Sequence, residues 1–397
     1  MSMKIVSRKW IWPLNAIVFN LVRLFPFRNK RLWIFGAHAG EKYDDNAKFM
    51  FEYVNAHCGQ IRAIWLAKTL EIVEYLREKG YEAYLINSVK GKYFEIAAGV
   101  ALYTHSIYDF GFIPLIGGAE VVALWHGVGF KKIYNGKYAG FKLWLKIFLD
   151  TIYTRTYRNI TLATSQYTYN QWKDYFHVQP KNIYITGQPR NDIFKHKINR
   201  ETVLKKNEID PNKKIVAFLP TYRSSSQGND AMEKIIKELY YNQSFSELLN
   251  RRKYTFIVKL HPLTPPIQLP LRKDFLIVDY ESVEVNQEVL CVADILITDY
   301  SSCFVDFALQ NKPIIFYTPD HEDYVRSSGQ NDRLYDHIAN LNKANNMKEL
   351  IELLEVPSNI ICQTTNDLFE DPSIRNTCYS ENVYKVITNK IGIGNGI

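Results

Sequence analysis

The sequence predicts an α/β protein built as two Rossmann-like domains facing a cleft. Three observations carry that prediction. The chain has 397 residues, beyond the roughly 250–300 at which a single core usually divides. Short apolar runs of strand length alternate with helix-length segments, the pattern of parallel sheets covered by helices on both faces. One polar stretch, 195–213, breaks the rhythm, and a second block of similar size follows it. With 47% hydrophobic and 23% charged residues the chain reads as globular rather than disordered. It holds no repeat and no low-complexity tract.

The opening segment, 1–30, precedes the alternation and reads as amphipathic. Over the first 31 residues Lys4, Arg8, Lys9, Arg23, Arg28, Lys30 and Arg31 stand without an acid. Pro13, Asn15, Asn20 and Arg23 interrupt its apolar part, which falls short of the ~20 apolar residues a membrane span needs. No small-residue cleavage site follows, so no signal peptide is expected. Leu14, Ile17, Val18, Leu21 and Phe25 fall on one helical stripe. Basic residues beside large apolar side chains suit an anionic bilayer surface, and membrane attachment is the expected role.

A first domain is expected over 31–197. Its strand-like runs are 31–36, 63–67, 82–86, 100–104, 121–125, 160–163 and 182–186, with helices at 45–54, 70–79 and 166–175. Within it, Phe141, Trp144, Leu145, Phe148 and Ile152 form a second stripe, with Lys142, Lys146 and Asp150 opposite. Membrane contact and packing on the protein's own core both fit this stripe. A second domain is expected over 198–397, with strand-like runs at 214–219, 255–260, 275–278, 295–298 and 314–316 and helices at 231–249 and 304–310. The net charge of +8 is gathered beside apolar bulk rather than on a solvated face, which argues against a nucleic-acid partner. Five scattered cysteines without a CxxC pair suggest neither a zinc site nor a disulfide framework.

Open parallel sheets bind ligands beyond the carboxyl ends of their strands, so polar residues just after strands are the site candidates. Thr298-Asp299-Tyr300-Ser301-Ser302 stands where a strand hands over to a helix. Unpaired N–H groups at that helix start, with the Ser301 and Ser302 hydroxyls, would form a phosphate or diphosphate cradle. Asp306, one turn on, would reach a ribose hydroxyl. The same Asp and Ser residues also read as ordinary N-caps. Thr221 and Arg223, Lys259 and His261 (fixed by Pro262), and Arg190 follow or end three further strand-like runs. Guanidinium forks suit phosphate. Singly, these are a satisfied histidine and surface arginines; together they suit a nucleotide diphosphate. His126, between Trp125 and Gly127, is placed to take a proton from an attacking hydroxyl when neutral. A structural histidine is the alternative, and His105 is a second candidate.

These motifs, "WIFGAHAGEKYDDNAKFMFEYV" (33–54), "LWHGVGFKKI" (124–133), "TGQPRNDIF" (186–194), "LPTYR" (219–223), "KLHP" (259–262) and "LITDYSSCFVDFALQNKPIIFYTPD" (296–320), are familiar as a set. The chain resembles the CDP-glycerol glycerophosphotransferase family of teichoic-acid and capsule biosynthesis over about residues 31–340. The resemblance implies the GT-B type of two-domain fold and peripheral attachment at the cytoplasmic face of a bacterial membrane. It implies transfer of a polyol phosphate from a CDP-activated donor to a hydroxyl of a lipid-linked acceptor, with release of CMP. Carried over by motif, His126 is the base and His261 a donor-phosphate contact. Arg190, Thr221, Arg223, Lys259, Thr298, Asp299, Ser301, Ser302 and Asp306 are the expected donor-binding residues. The first domain would take the acceptor and the second the CDP donor. "WHGVGFKKI" replaces the commoner "WHGTPLKKI", and "LPTYR" stands where "APTWR" is frequent, which leaves the acceptor open. No cofactor is expected and no acidic cluster looks built for a tight metal site, while a loosely held Mg²⁺ stays open. A nucleotide-sugar glycosyltransferase on the same fold is the alternative; it would release a nucleoside diphosphate. Oligomeric state and the identity of the polyol are not legible.

Overall fold

A computed structural model describes residues 8–128, 140–195, 200–201, 204, 209–223, 225–261, 264–278, 286–328, 342–357 and 368–394. The chain divides into two compact units. One comprises Met1–His126, Phe141–Asp192 and Asp371–Ile397, the other Gly127–Gly140 and Ile193–Glu370.

The first unit holds a seven-stranded parallel sheet. Its strands are β1 (Asn29–Gly36), β2 (Arg62–Ala67), β3 (Ala83–Leu85), β4 (Ala98–Tyr103), β5 (Glu120–Ala123), β6 (Ile160–Ala163) and β7 (Ile183–Ile185), in the order β3-β2-β1-β4-β5-β6-β7. Its helices are α1 (Arg8–Arg23), α2 (Asp45–His57), α3 (Leu70–Glu78), α4 (Val89–Ala97), α5 (Gly140–Tyr157) and α6 (Gln166–Asp174). Successive side chains of a strand point to opposite faces. Trp33 and Phe35 accordingly join Phe51 and Trp65 in one core, while Leu32 and Ile34 join Tyr103, Phe110 and Tyr157 in another. Burial on both faces explains why β4 is apolar and buried throughout.

The second unit holds a six-stranded parallel sheet of β8 (Lys214–Leu219), β9 (Tyr254–Lys259), β10 (Phe275–Val278), β11 (Ile295–Thr298), β12 (Ile314–Tyr317) and β13 (Lys343–Ala344), in the order β10-β9-β8-β11-β12-β13. Helices α7 (Ser226–Tyr241), α8 (Gln243–Arg251), α9 (Asn286–Val292), α10 (Cys303–Ala308), α11 (His321–Ser328) and α12 (Met347–Glu355) accompany it. Strand order reverses between β1 and β4 in one sheet and between β8 and β11 in the other, which sets a ligand-binding position at each.

Three expectations need correction. The helix expected over 231–249 is two helices, because Asn242 adopts extended backbone and its side chain accepts the Phe245 N–H, starting α8 anew. The segment expected to close the second domain instead returns to the first unit as α13 (Tyr379–Ile391), where Val383, Tyr384 and Ile387 enter the core beside Trp33. The opening segment is not solely a surface stripe. Phe19 is 6% exposed and packs edge-on against Tyr157 at 4.8 Å, and Asn15 bonds the Phe112 carbonyl. The α1 backbone lies so close to Gly117 that a Cβ there would stand 1.9 Å from the Phe19 oxygen. The opposite face of α1 is uncovered, with Ile17 59% and Leu21 62% exposed. The Leu14 side chain lies outside the described ones. On α5, the exposed rings of Phe141, Trp144 and Phe148 stack at successive centroid separations of 5.5 Å. Among the described residues no helix is long and apolar enough to cross a membrane.

Candidate active site

In the first unit the turn after β5 is held in an unusual backbone conformation. Trp125 has φ 63° and Gly127 φ 136°, a left-handed excursion that costs a bulky residue of order 1–3 kcal/mol. Contacts from elsewhere in the unit impose it. The Asn46 amide donates to the Trp125 carbonyl at 2.8 Å, and Arg190 Nη1 donates to the His126 carbonyl at 3.0 Å. Asn46 Oδ1 in turn accepts the Arg190 N–H at 3.1 Å. Trp125 packs on Trp172 and Phe176. The turn presents the His126 ring, which keeps solvent access, stacked on His105 at 4.4 Å and 5°. The surrounding protein displaces water and pushes His126 down to about 4, with the neighbouring His105 adding to the effect and Asp45 opposing it. His126 is therefore neutral at physiological pH, as a proton acceptor must be.

Arg190 was expected among the donor-phosphate contacts. The structure instead buries it in the first unit, paired with Asp45 Oδ1 at 2.9 Å. Burial, the largest single effect, would raise the Asp45 carboxyl, but the Arg190 guanidinium and the neighbouring His105, His126 and His38 together hold the group below its ordinary value.

Beyond Asp45 lie two histidines. His38 follows β1, and His105 follows β4. Their rings are 4.1 Å apart. Burial, then the neighbouring His105, pushes His38 down to about 3. Asp109 ties the two loops together by accepting the N–H groups of Ala39, Thr104 and His105 at 2.8, 3.0 and 2.8 Å. His38, Asp45 and Asp109 escaped sequence reasoning. The one available signal was an acid-rich helix start, Asp44-Asp45-Asn46, shortly after a strand.

In the second unit, the loops after β8 and β11 are joined at the switch position. Thr221 donates its N–H and its hydroxyl to Asp299 Oδ1 at 2.8 and 2.6 Å. Arg223 donates to Asp299 Oδ2 at 2.8 Å, to Asp320 Oδ2 at 2.9 Å and to the Thr221 carbonyl at 2.8 Å. Burial would lower the Arg223 guanidinium, but the two carboxylates prevail and keep it above its ordinary value. It lies over the Tyr324 ring, which stacks on Tyr300 at 3.8 Å. Thr298 donates to the Leu219 carbonyl at 2.8 Å. Thr221, Arg223 and Asp299 thus bind one another, Thr298 ties β11 to the end of β8, and together they fix the loops. Asp320, Tyr300 and Tyr324 complete this network and were missed.

The serines behave differently. Ser302 occupies the N-cap of α10, yet its side chain makes no capping bond. Ser301 Oγ accepts the Cys303 N–H at 3.4 Å. Both remain partly exposed at the start of the helix. Asp306, expected near a ribose, is 4% exposed and its carboxylate accepts from Gln287 at 3.4 Å. Lys259 is buried at the end of β9, and His261 is exposed with its ring stacked on Tyr222 at 5.0 Å. Pro262, and the part of the 124–133 motif beyond Val128, lie outside the described residues.

Known proteins resemble this chain. Over 340 residues the chain is 30% identical to a teichoic acid poly(glycerol phosphate) polymerase of Bacillus spizizenii, covering 80% of this chain and 81% of that protein. It is 24% identical over 343 residues to a teichoic acid poly(ribitol-phosphate) polymerase of the same organism, and there it spans 52% of the relative's length. A solved structure of the wall teichoic acid polymerase TagF, a variant, covers 98% of this chain at a TM-score of 0.75 and 17% identity, with 99% of its own length matched. That likeness shows a fold of the GT-B type. The family model described as CDP-glycerol:poly(glycerophosphate) glycerophosphotransferase matches residues 17–366, and this chain belongs to that family.

Proposed function

We propose that the chain transfers a polyol phosphate, glycerol phosphate by the family's description, from a CDP-activated donor to a hydroxyl of a lipid-linked acceptor during teichoic-acid-type polymer synthesis. The observation that carries this reading is the solvent-accessible His126, set on a strained turn that Asn46 and Arg190 hold. The acceptor oxygen forms a bond to the phosphorus that carries the polyol. The bond from that phosphorus to the CMP phosphate oxygen breaks, and CMP leaves with the electron pair. His126 takes the hydroxyl proton, help worth ~10²–10⁴-fold. Ser301, Ser302, Lys259 and His261 are the donor contacts, and charge stabilisation with positioning suffices for phosphoryl transfer. Thr221, Arg223 and Asp299 act one step back, by holding the loops that carry those contacts. The acceptor's lipid places the reaction at the cytoplasmic membrane face, where the uncovered apolar side chains of α1 and α5 would sit among headgroups.

The test is product analysis with CDP-glycerol, CDP-ribitol and a lipid-linked acceptor. CMP should accumulate in step with an acceptor heavier by one glycerol phosphate. Turnover of a nucleotide sugar with release of a nucleoside diphosphate, and none of CDP-glycerol, would overturn the proposal.

A further inference from the structure

The histidines beside Asp45 have no part in the reaction as proposed, yet they are placed with care. His38 and His105 follow β1 and β4, the two strands between which the first sheet reverses order, the position where open α/β sheets take their ligands. Asp45 opens α2 in the same place. Each of the three offers a ligand atom, and these atoms lie within 4.8 Å of one another. His38 Nε2 and His105 Nδ1 are both buried without a hydrogen-bond partner. An orphaned buried polar atom costs about 1–3 kcal/mol, and two in one such cluster call for an occupant. Three residues here have left-handed backbones without being glycine: His38 at φ 49°, Ala39 at 56° and Asp45 at 62°. That strain fixes the backbone from which two of the three side chains project. Asp109 holds the loops of His38 and His105 from behind, and Arg190 orients Asp45, the kind of support that metal ligands require.

We propose that His38, Asp45 and His105 bind a divalent transition ion, with Zn²⁺ as the reference species. Two imidazoles and a carboxylate suit zinc and its neighbours, whereas Mg²⁺ asks for oxygen ligands. The Arg190 guanidinium and the Asn46 N–H both use Asp45 Oδ1, so Oδ2 is the oxygen the ion would take. Bonds of about 2.0–2.2 Å set ligand atoms about 3.4 Å apart around a tetrahedral ion, a closure that side-chain rotation supplies. Three protein ligands leave a fourth position for an oxygen ligand, beside His126, whose ring stacks on His105. Use of that position in catalysis rests on the role of His126 given above; binding of the ion does not.

The test uses the full chain, stripped with chelator and titrated with Zn²⁺ alone. Bound metal is counted by mass spectrometry after gel filtration, and Co²⁺ substitution is followed in the visible spectrum. A stoichiometric ion with a tetrahedral Co²⁺ band is expected. His38→Ala, Asp45→Asn and His105→Ala should each weaken binding at least about 10-fold. Because those variants disturb a strained region, protection of His38 and His105 from diethyl pyrocarbonate by Zn²⁺ is mapped in the unsubstituted chain as well. Absence of a stoichiometric ion, or binding retained when both histidines are alanine, overturns the proposal. Neither readout uses CDP-polyol turnover, so failure here is distinct from failure of the transferase reading.

Discussion

At the scale of the residue, the motifs were legible and their division of labour was not. Sequence shows that Arg190, Arg223 and Asp299 sit after strands. It does not show that each is already bound to another protein charge, because Asp45 lies 145 positions from Arg190, and Arg223 and Asp299, which pair with each other, lie 76 apart. Arg190 was grouped with the phosphate contacts on residue type and its place after a strand-like run. Its buried pairing predicts a different phenotype. Arg190→Met should cost about 3–5 kcal/mol, because Asp45 is left as an uncompensated buried charge, and it should loosen the turn that carries His126. Urea denaturation should show the loss of stability, and turnover should fall with little change in CDP-glycerol affinity. A purely weakened donor affinity with unchanged stability would return Arg190 to the donor site. His126→Ala should cut turnover ~10²–10⁴-fold while leaving donor affinity and the urea midpoint near their starting values. A matching loss of CDP-glycerol binding in isothermal titration would refute its assignment as base.

Elements were read best where a short apolar run stood between polar neighbours, as in β6, β10 and β11, and worst where pairing alone made them. The two-residue β13 has no pattern to detect and exists because β12 offers it an edge. The stripe of α1 was visible, but a stripe cannot say which neighbour covers which side. Asn15 and Phe19 dock, and Ile17 and Leu21 do not. The two faces can therefore be separated by substitution, whereas deletion of the helix would strip the core. Phe19→Ala should cost about 3–5 kcal/mol. Ile17→Asp with Leu21→Asp should leave the unfolding midpoint unchanged and reduce sedimentation with anionic vesicles, each apolar side chain contributing about 1.5–3 kcal/mol when buried. Vesicle binding that survives both aspartates would remove α1 from the membrane contact. A second element makes a pH prediction. Glu95, on α4, is fully buried, accepts the Leu115 N–H at 2.7 Å and faces Lys92 Nζ at 2.7 Å. Burial raises it to about 7, with Lys92 opposing. Its folded value lies above its unfolded one, so the folded chain holds the extra proton between about pH 4.5 and 7. Its contribution to stability is complete below that window and is lost as pH rises through it. Glu95→Gln should flatten the fall in melting temperature between pH 5 and pH 8, a difference on the order of 1–3 kcal/mol. An unchanged slope in the variant would mean that another group governs this range.

At the scale of the whole molecule, the alternation of strands and helices was enough to expect two parallel sheets, since parallel pairing needs a crossover between strands. It could not show that the chain ends where it began. The first unit is closed by Asp371–Ile397, which is separated from the rest of that unit by the whole of Ile193–Glu370. The join is specific. Asp192, at the end of the "PRND" run, accepts the N–H groups of Tyr379 and Ser380 at 2.7 and 2.8 Å and the Ser380 hydroxyl at 2.6 Å. It thereby caps α13, whose own N-cap residue, Cys378, makes no capping bond and instead donates its thiol to Asp192 Oδ2 at 3.5 Å. Gly187 has φ 77°, and a Cβ there would lie 2.1 Å from the Tyr379 ring, so only glycine admits the helix. Removal of residues 371–397 should uncover the core around Trp33 and leave Asp192 without these donors, at a cost of several kcal/mol from Val383, Tyr384 and Ile387 alone. The damage should be confined by topology. Hydrogen exchange measured on the truncated chain should show protection lost in β1, β2 and α2 and retained in β8, β9 and β11, because no residue of α13 enters the core of the second sheet. Asp192→Ala in the full chain should give a smaller loss with the same distribution, since it removes the cap and keeps the apolar contacts. If truncation instead loosened both sheets equally, the two units would unfold as one, and the return of α13 would matter to the whole chain rather than to the half it closes.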